Sequence, residues 1–209
     1  MNKPKKSLGQ NFLQDENIVK KILETTKIYN QNIIEIGPGY GILTKSIINY
    51  KPRKLIIIEK DIKLYNFLKN KFKDLKITIL NEDILNYNFP QKQKYKIISN
   101  LPYNISSKFL FKSLRFSINI SEIICMIQSE LADKYDYSNE KMNKYKFLTQ
   151  YRSKYEIMFT VSRNVFYPKP KISSKVVKFT INNKIINYKK LNYFLNYFFI
   201  TKRKKIRSN

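Results

Sequence analysis

Short apolar runs alternate with amphipathic stretches along most of the chain. The runs NIIEI (32–36), KLIIIE (54–59), KITIL (76–80), YKIIS (95–99) and EIICMIQ (122–128) are apolar nearly throughout, not at every second position. That pattern predicts strands covered on both faces, as in a parallel sheet flanked by helices. Between them, QDENIVKKILETTK (14–27) sets Ile18/Ile22 and Val19/Leu23 four residues apart behind Asp15, which is placed to cap a helix. ILTKSIINY (42–50), DIKLYNFLKNKF (61–72) and SSKFLFKSLRF (106–116) read as further helices. KYEIMFTV (154–161) and KVVKFTI (175–181) read as an antiparallel pair closing the sheet, joined by a loop containing FYPKPKISS. From Tyr188 a Tyr/Phe/Leu-rich helix leads into TKRKKIRSN, and no internal repeat is visible.

Composition narrows the class of function. With 209 residues the chain is long enough for one α/β core and an appendage, and 43% hydrophobic against 27% charged residues marks it as globular. The formal charge of +26 points to a polyanionic partner, nucleic acid or an anionic membrane surface. Part of that charge reflects codon bias, since Lys far exceeds Arg and Ile, Asn and Tyr abound. With one cysteine and no histidine, disulfides, zinc clusters and histidine-dependent nucleophiles are excluded within the chain. Cys125 reads as a small buried hydrophobe. MNKPKK lacks the apolar stretch of a signal peptide and no run reaches transmembrane length, so a cytoplasmic location is expected.

Chemistry concentrates where the strands end. EIGPGYG follows the first long strand and precedes a helix, so Gly37 and Gly39 let the backbone approach a ligand beside unpaired helix N–H groups. The spacing is GxGxG, which a plain tight turn also produces. Glu59 ends the next strand about twenty residues on, where a carboxylate accepts from both hydroxyls of a ribose. Asp83 follows the third strand and can accept from an adenine amine. SNLPYNIS (99–106) then closes the fourth strand. Suppose the cofactor is a methyl donor and the acceptor an adenine amine, a poor nucleophile because its lone pair is delocalised into the ring. Two acceptors, Asn100 Oδ1 and the Leu101 carbonyl held outward by Pro102, would draw that nitrogen toward tetrahedral geometry and aim its lone pair at a methyl donor. Tyr103 offers a face for the base, worth roughly 1–3 kcal/mol.

SLGQNFL, EIGPGYGILT, IEKD, NLPYNIS and FYPKPKISS stand in the order and spacing of the ribosomal-RNA adenine dimethyltransferases of the small subunit, the KsgA family, which this chain resembles from Ser7 to Asn209. The resemblance implies an α/β, Rossmann-like class I S-adenosylmethionine-dependent methyltransferase fold, with a mostly parallel seven-stranded sheet and an antiparallel hairpin. It implies dimethylation of two adjacent adenosines near the 3′ end of 16S rRNA in the assembling small subunit, by a monomer needing no metal. Carried over by position, Asn11 and Leu13 would close over S-adenosylmethionine, Gly37 would line its methionine end, Glu59 would hold the ribose and Asp83 the adenine amine. Asn100 would meet both cofactor and target base, and Phe166 would sandwich the flipped adenine against Tyr103; by itself Phe166 reads equally as core.

In the family the segment resembling TKRKKIRSN leads into a further helical domain, whereas this sequence stops there. A truncated C-terminal helical region is therefore expected, with residues 1–185 as catalytic domain and 186–209 as a basic helix whose Lys202, Arg203, Lys204, Lys205 and Arg207 grip RNA. Two rivals remain. The macrolide-resistance enzymes that dimethylate one 23S rRNA adenosine resemble the chain in QNFL and PYNIS, but EIGPG and NLPY look more like the small-subunit enzymes. A non-catalytic RNA-binding assembly factor, or a mitochondrial-type transcription factor on the same fold, would not need Glu59, Asp83 and NLPY together.

Overall fold

The computed structural model describes residues 4–5, 8–90, 92–116, 119–138, 142–182 and 187–200. A two-residue strand, β1 (Phe12–Leu13), precedes α1 (Glu16–Glu24), and Asp15 caps that helix by accepting from the Asn17 and Ile18 N–H groups. Strand and helix then alternate as β2 (Asn32–Ile36), α2 (Ile42–Asn49), β3 (Lys54–Ile58), α3 (Ile62–Lys71), β4 (Thr78–Leu80), β5 (Tyr95–Asn100), α4 (Tyr103–Phe116) and β6 (Ile120–Gln128). The remainder forms α5 (Ser129–Tyr135), α6 (Lys144–Arg152), β7 (Ser153–Val161), β8 (Phe166–Tyr167), β9 (Ser174–Ile181) and α7 (Tyr188–Ile200).

Seven strands make one sheet in the order β4-β3-β2-β5-β6-β9-β7. The first five are parallel, while β9 runs antiparallel to both β6 and β7. Each parallel strand sends alternate residues to opposite faces. Ile33, Leu55 and Ile57 pack with Val19, Leu43 and Leu68 on the face covered by α1, α2 and α3. Ile34, Ile36, Ile56 and Ile97 pack on the other face with Phe109, Leu114, Leu131 and Leu148, and α7 buries Leu191 and Leu195 in the same cluster. The uniformly apolar strands thus reflect burial on both sides. Cys125 is buried in this core, and burial pushes its thiol pKa up, away from reactivity.

Three local features depart from the sequence reading. α4 begins at Tyr103, three residues before the predicted helix at 106, because Pro102 has no N–H to leave unpaired in a first helical turn and its carbonyl accepts from Ile105 and Ser106. Residues 129–135 and 144–152, given no assignment, form α5 and α6. Finally, β1 and β8 join in a separate two-stranded sheet, pairing Phe12 with Tyr167 and Leu13 with Phe166. Among the described residues no helix is long and apolar enough to cross a membrane.

Candidate active site

Beyond β2 the sheet grows in both directions, to β3 and β4 on one side and to β5 and β6 on the other. Loops leaving neighbouring strands part at such a switch point and open a crevice at the carboxyl edge. A cleft of about 440 Å³ lies there, within the size range of small-molecule sites. The segment after each of β2, β3, β4 and β5 contributes to its wall, and residues 8–14 form a strap along it.

Gly37 and Gly39 both hold positive φ, +61° and +59°. A Cβ on Gly37 would lie 3.1 Å from Pro102, and one on Gly39 would lie 2.8 Å from the Phe12 ring, so loop, NLPY turn and strap meet without side chains between them. Glu59 is buried beneath them. Its Oε1 accepts from the Asp61 N–H at 2.8 Å and its Oε2 from the Gly39 N–H at 3.3 Å. A carboxylate oxygen accepts more than one hydrogen bond, so both retain capacity for a diol. Burial raises the Glu59 pKa, and those N–H groups partly offset the rise. Asp83 Oδ1 accepts from the Leu85 N–H at 2.9 Å and Oδ2 from Lys60 Nζ at 2.8 Å. Burial pushes the Asp83 carboxyl up, but Lys60 and the Leu85 N–H outweigh it and hold it below the usual range.

One acid that the motif reading passed over sits in the same wall. Glu35, within β2, is buried, and Thr44 of α2 donates to its Oε2 at 2.6 Å. Burial pushes its carboxyl up to about 8, with the Thr44 bond opposing and the Glu59 charge adding to the rise. An acid inside the otherwise apolar NIIEI was the signal for it.

Asn100 ends β5, and its Nδ2 donates to the Asn11 carbonyl at 2.9 Å. This network assigns the amide: the NH2 is committed to the strap and Oδ1 is left as the acceptor. The Leu101 side chain is buried, its N–H donates to Met126 O at 3.2 Å, and Ser106 Oγ stands 3.4 Å from its carbonyl. Tyr103 lines the cleft, and its hydroxyl is 2.6 Å from Ser174 Oγ. Burial raises the Tyr103 pKa against the lowering effect of that bond.

Asn11, Leu13, Gly37, Glu59, Asp83, Asn100, Leu101, Pro102 and Tyr103 all line the one cleft. Phe166 does not join them. Its side chain is 3% exposed and packs in the core with Leu13, Ile98, Met126 and Val176. Neighbouring residues of a strand face opposite ways, and it is Tyr167, half exposed, that reaches the cleft. Lys202, Arg203, Lys204, Lys205 and Arg207 lie outside the described residues.

The strap is held by Asp61, a buried residue that the sequence reading did not single out. Asp61 Oδ2 pairs with Lys5 Nζ at 2.8 Å and accepts from Gln10 Nε2 at 3.3 Å, while Oδ1 caps α3 through the Lys63 N–H. Gln10 Oε1 in turn accepts from the Lys5 N–H at 2.7 Å. Burial raises the Asp61 carboxyl pKa, but the Lys5 and Lys63 interactions win and hold it low.

The family profile for ribosomal RNA adenine dimethylase matches residues 1–209. The chain belongs to that family. Ribosomal RNA small subunit methyltransferase A of Malacoplasma penetrans is 40% identical over 210 residues, covering 98% of this chain and 76% of the relative. A dimethyladenosine transferase from Plasmodium falciparum has TM-score 0.81 at 25% identity, covering 93% of this chain and 73% of that one. The 23S rRNA methyltransferase ErmE has TM-score 0.76 at 23% identity, covering 88% and 76%, a likeness of fold. The family is one of S-adenosylmethionine-dependent enzymes on the class I α/β fold, and this chain is an rRNA adenine dimethyltransferase of that kind. Among the described residues, no group of three or more His, Cys, Asp or Glu is placed to hold a metal ion.

Proposed function

We propose that the chain dimethylates two adjacent adenosines near the 3′ end of 16S rRNA within the assembling small subunit, using S-adenosylmethionine. The observation that carries the reading is the Asn100 amide, whose NH2 is tied to Asn11 so that an acceptor faces the cleft. The cleft residues suit the cofactor: Glu59 keeps acceptor capacity on both oxygens for a ribose, Asp83 is an acceptor for an adenine amine, and the glycine loop lacks the Cβ atoms that would block approach. Asn11, Leu13 and Gly37 complete its binding wall. When bound, S-adenosylmethionine supplies an electrophilic methyl group.

The protein's part is positional and electrostatic. Asn100 Oδ1 accepts one hydrogen of the target amine and the Leu101 carbonyl the other, which turns the nitrogen lone pair out of conjugation. Tyr103 presents a stacking face to the extruded adenine. The methylated amine is strongly acidic and gives its proton to water, so no histidine or carboxylate base is required. Residues 1–185 act as the catalytic domain, and the basic segment 186–209 contributes RNA affinity. Mass spectrometry of 16S and 23S rRNA from cells with and without this chain tests the reading. Two adjacent dimethyladenosines are expected only with it; a single modified adenosine in 23S rRNA instead would overturn it.

A further inference from the structure

The stacking role of Tyr103 requires that its ring be held still, and the backbone alone does not hold it. Tyr103 is the first residue of α4, with no preceding helical turn to pack against its side chain, and it presents a half-buried ring to the cleft. Such a side chain turns about two torsions. Its far end, however, meets Ser174. The Ser174 Oγ lies 2.6 Å from the Tyr103 hydroxyl, and Ser174 itself is 0% exposed. Ser174 is the first residue of β9 and is gripped from both sides, paired with Gln128 of β6 and Val161 of β7. Its neighbour Ser173 adds a second anchor, since its carbonyl accepts from the Ser129 N–H at 3.2 Å and its Oγ lies 3.0 Å from Ser129 Oγ. The hydroxyl of Tyr103 is thus tied to one of the most constrained backbone positions in the sheet.

We propose that Ser174 is a positioning residue that fixes the Tyr103 ring in the orientation on which the target adenine stacks. This rests on the functional reading above, in which Tyr103 receives the base. It changes what Tyr103 must be: a ring face alone is insufficient, because the hydroxyl is the handle by which the ring is aimed. A loosened ring must be re-ordered each time a base arrives, and that cost falls on RNA capture, not on cofactor binding or on the amide acceptor at Asn100.

The test compares wild type, Ser174→Ala, Tyr103→Phe and the double variant, on small-subunit particles for kinetics and on RNA carrying 2-aminopurine at the target position for stacking. Each single variant should raise KM for RNA about three- to tenfold, the equivalent of one net hydrogen bond, with S-adenosylmethionine affinity unchanged and kcat little altered. The extruded 2-aminopurine should be brighter in each, since stacking on a fixed ring quenches it. The double variant should be no worse than either single one, because both remove the same bond. Wild-type KM and fluorescence in the single variants, or effects that multiply in the double, would overturn the proposal. Should Ser174→Ala fail to fold, Tyr103→Phe alone decides: an unchanged KM and fluorescence overturns it, a raised KM with brighter 2-aminopurine supports it. Inactivity of wild type on the particles would count against the functional reading instead.

Discussion

Asn100 and Glu35 place two very different demands on single side chains. Asn100 must offer an oxygen, and Asn100→Ala removes it together with the hydrogen bond to the Asn11 carbonyl. Loss of one preorganised hydrogen-bonding group at a reacting centre typically costs about 100- to 1,000-fold in turnover. That loss is expected in single-turnover methylation, with the fold retained by circular dichroism; near wild-type turnover would remove Asn100 from its role. Glu35 is a buried acid beside Thr44. Its carboxyl is pushed up to about 8 in the folded chain and titrates near 4.3 when unfolded. The folded state therefore binds the extra proton between those values, and the Glu35 contribution to stability falls as pH rises from about 4.3 to about 8 before levelling. Glu35→Gln keeps an acceptor for Thr44 and removes the titration. The variant should gain on wild type as pH rises, by on the order of 2–5 kcal/mol at pH 9, read by urea denaturation at several pH values. A constant difference across pH would show that Glu35 does not titrate in this range.

At the scale of elements, the strap is held by the β1–β8 pairing, by Asn100 and, at its start, by Asp61. Asp61→Asn preserves the α3 cap, since Asn caps as well as Asp, but discards the Lys5 ion pair. The expected result is a roughly tenfold weaker S-adenosylmethionine affinity by calorimetry, about 1.4 kcal/mol, with little change in thermal stability. Equal affinity would show that the strap stays in place without Asp61. The long elements of this neighbourhood were legible in the sequence because their signals are local: five apolar runs for the parallel strands, the Asp15 cap, and acids or amides ending the strands. What escaped was pairwise or short. β1 and β8 hold two residues each, too few for any period, and only their mutual pairing sets Phe166 inward and Tyr167 outward. For the same reason the residues alone left Phe166 open between core and a presented ring, and only the family resemblance implied the ring. Ser174 and Asp61 look like ordinary polar residues until a partner seventy-one residues away, or Lys5 ahead of the strap, is brought beside them. α6 carries Lys146, Thr149 and Arg152 on its buried face, which blurs the apolar stripe that announces a helix, and α5 has only seven residues in which to show one.

For the whole molecule, a net charge of +26 makes salt the dominant experimental variable. Each phosphate neutralised contributes roughly 0.7–0.9 to the slope of log affinity against log salt. Replacing Lys202, Arg203, Lys204, Lys205 and Arg207 with Ser should flatten that slope in filter-binding titrations and lower methylation of particles, leaving cofactor affinity alone. An unchanged slope would mean the contacts lie on the catalytic domain. Phosphate contacts carry little sequence choice, so activity is expected on an assembling subunit and not on a short hairpin. Selectivity of another kind is built into the hydrogen bond from Asn100 to the Asn11 carbonyl. An amide released by a lifted strap can turn over and show its NH2 to the incoming amine, donor against donor. Whatever closes the strap therefore raises affinity for the adenine, and by thermodynamic reciprocity the adenine raises affinity for whatever lies beneath the strap by the same factor. An enzyme whose strap stood open would hold the base less well.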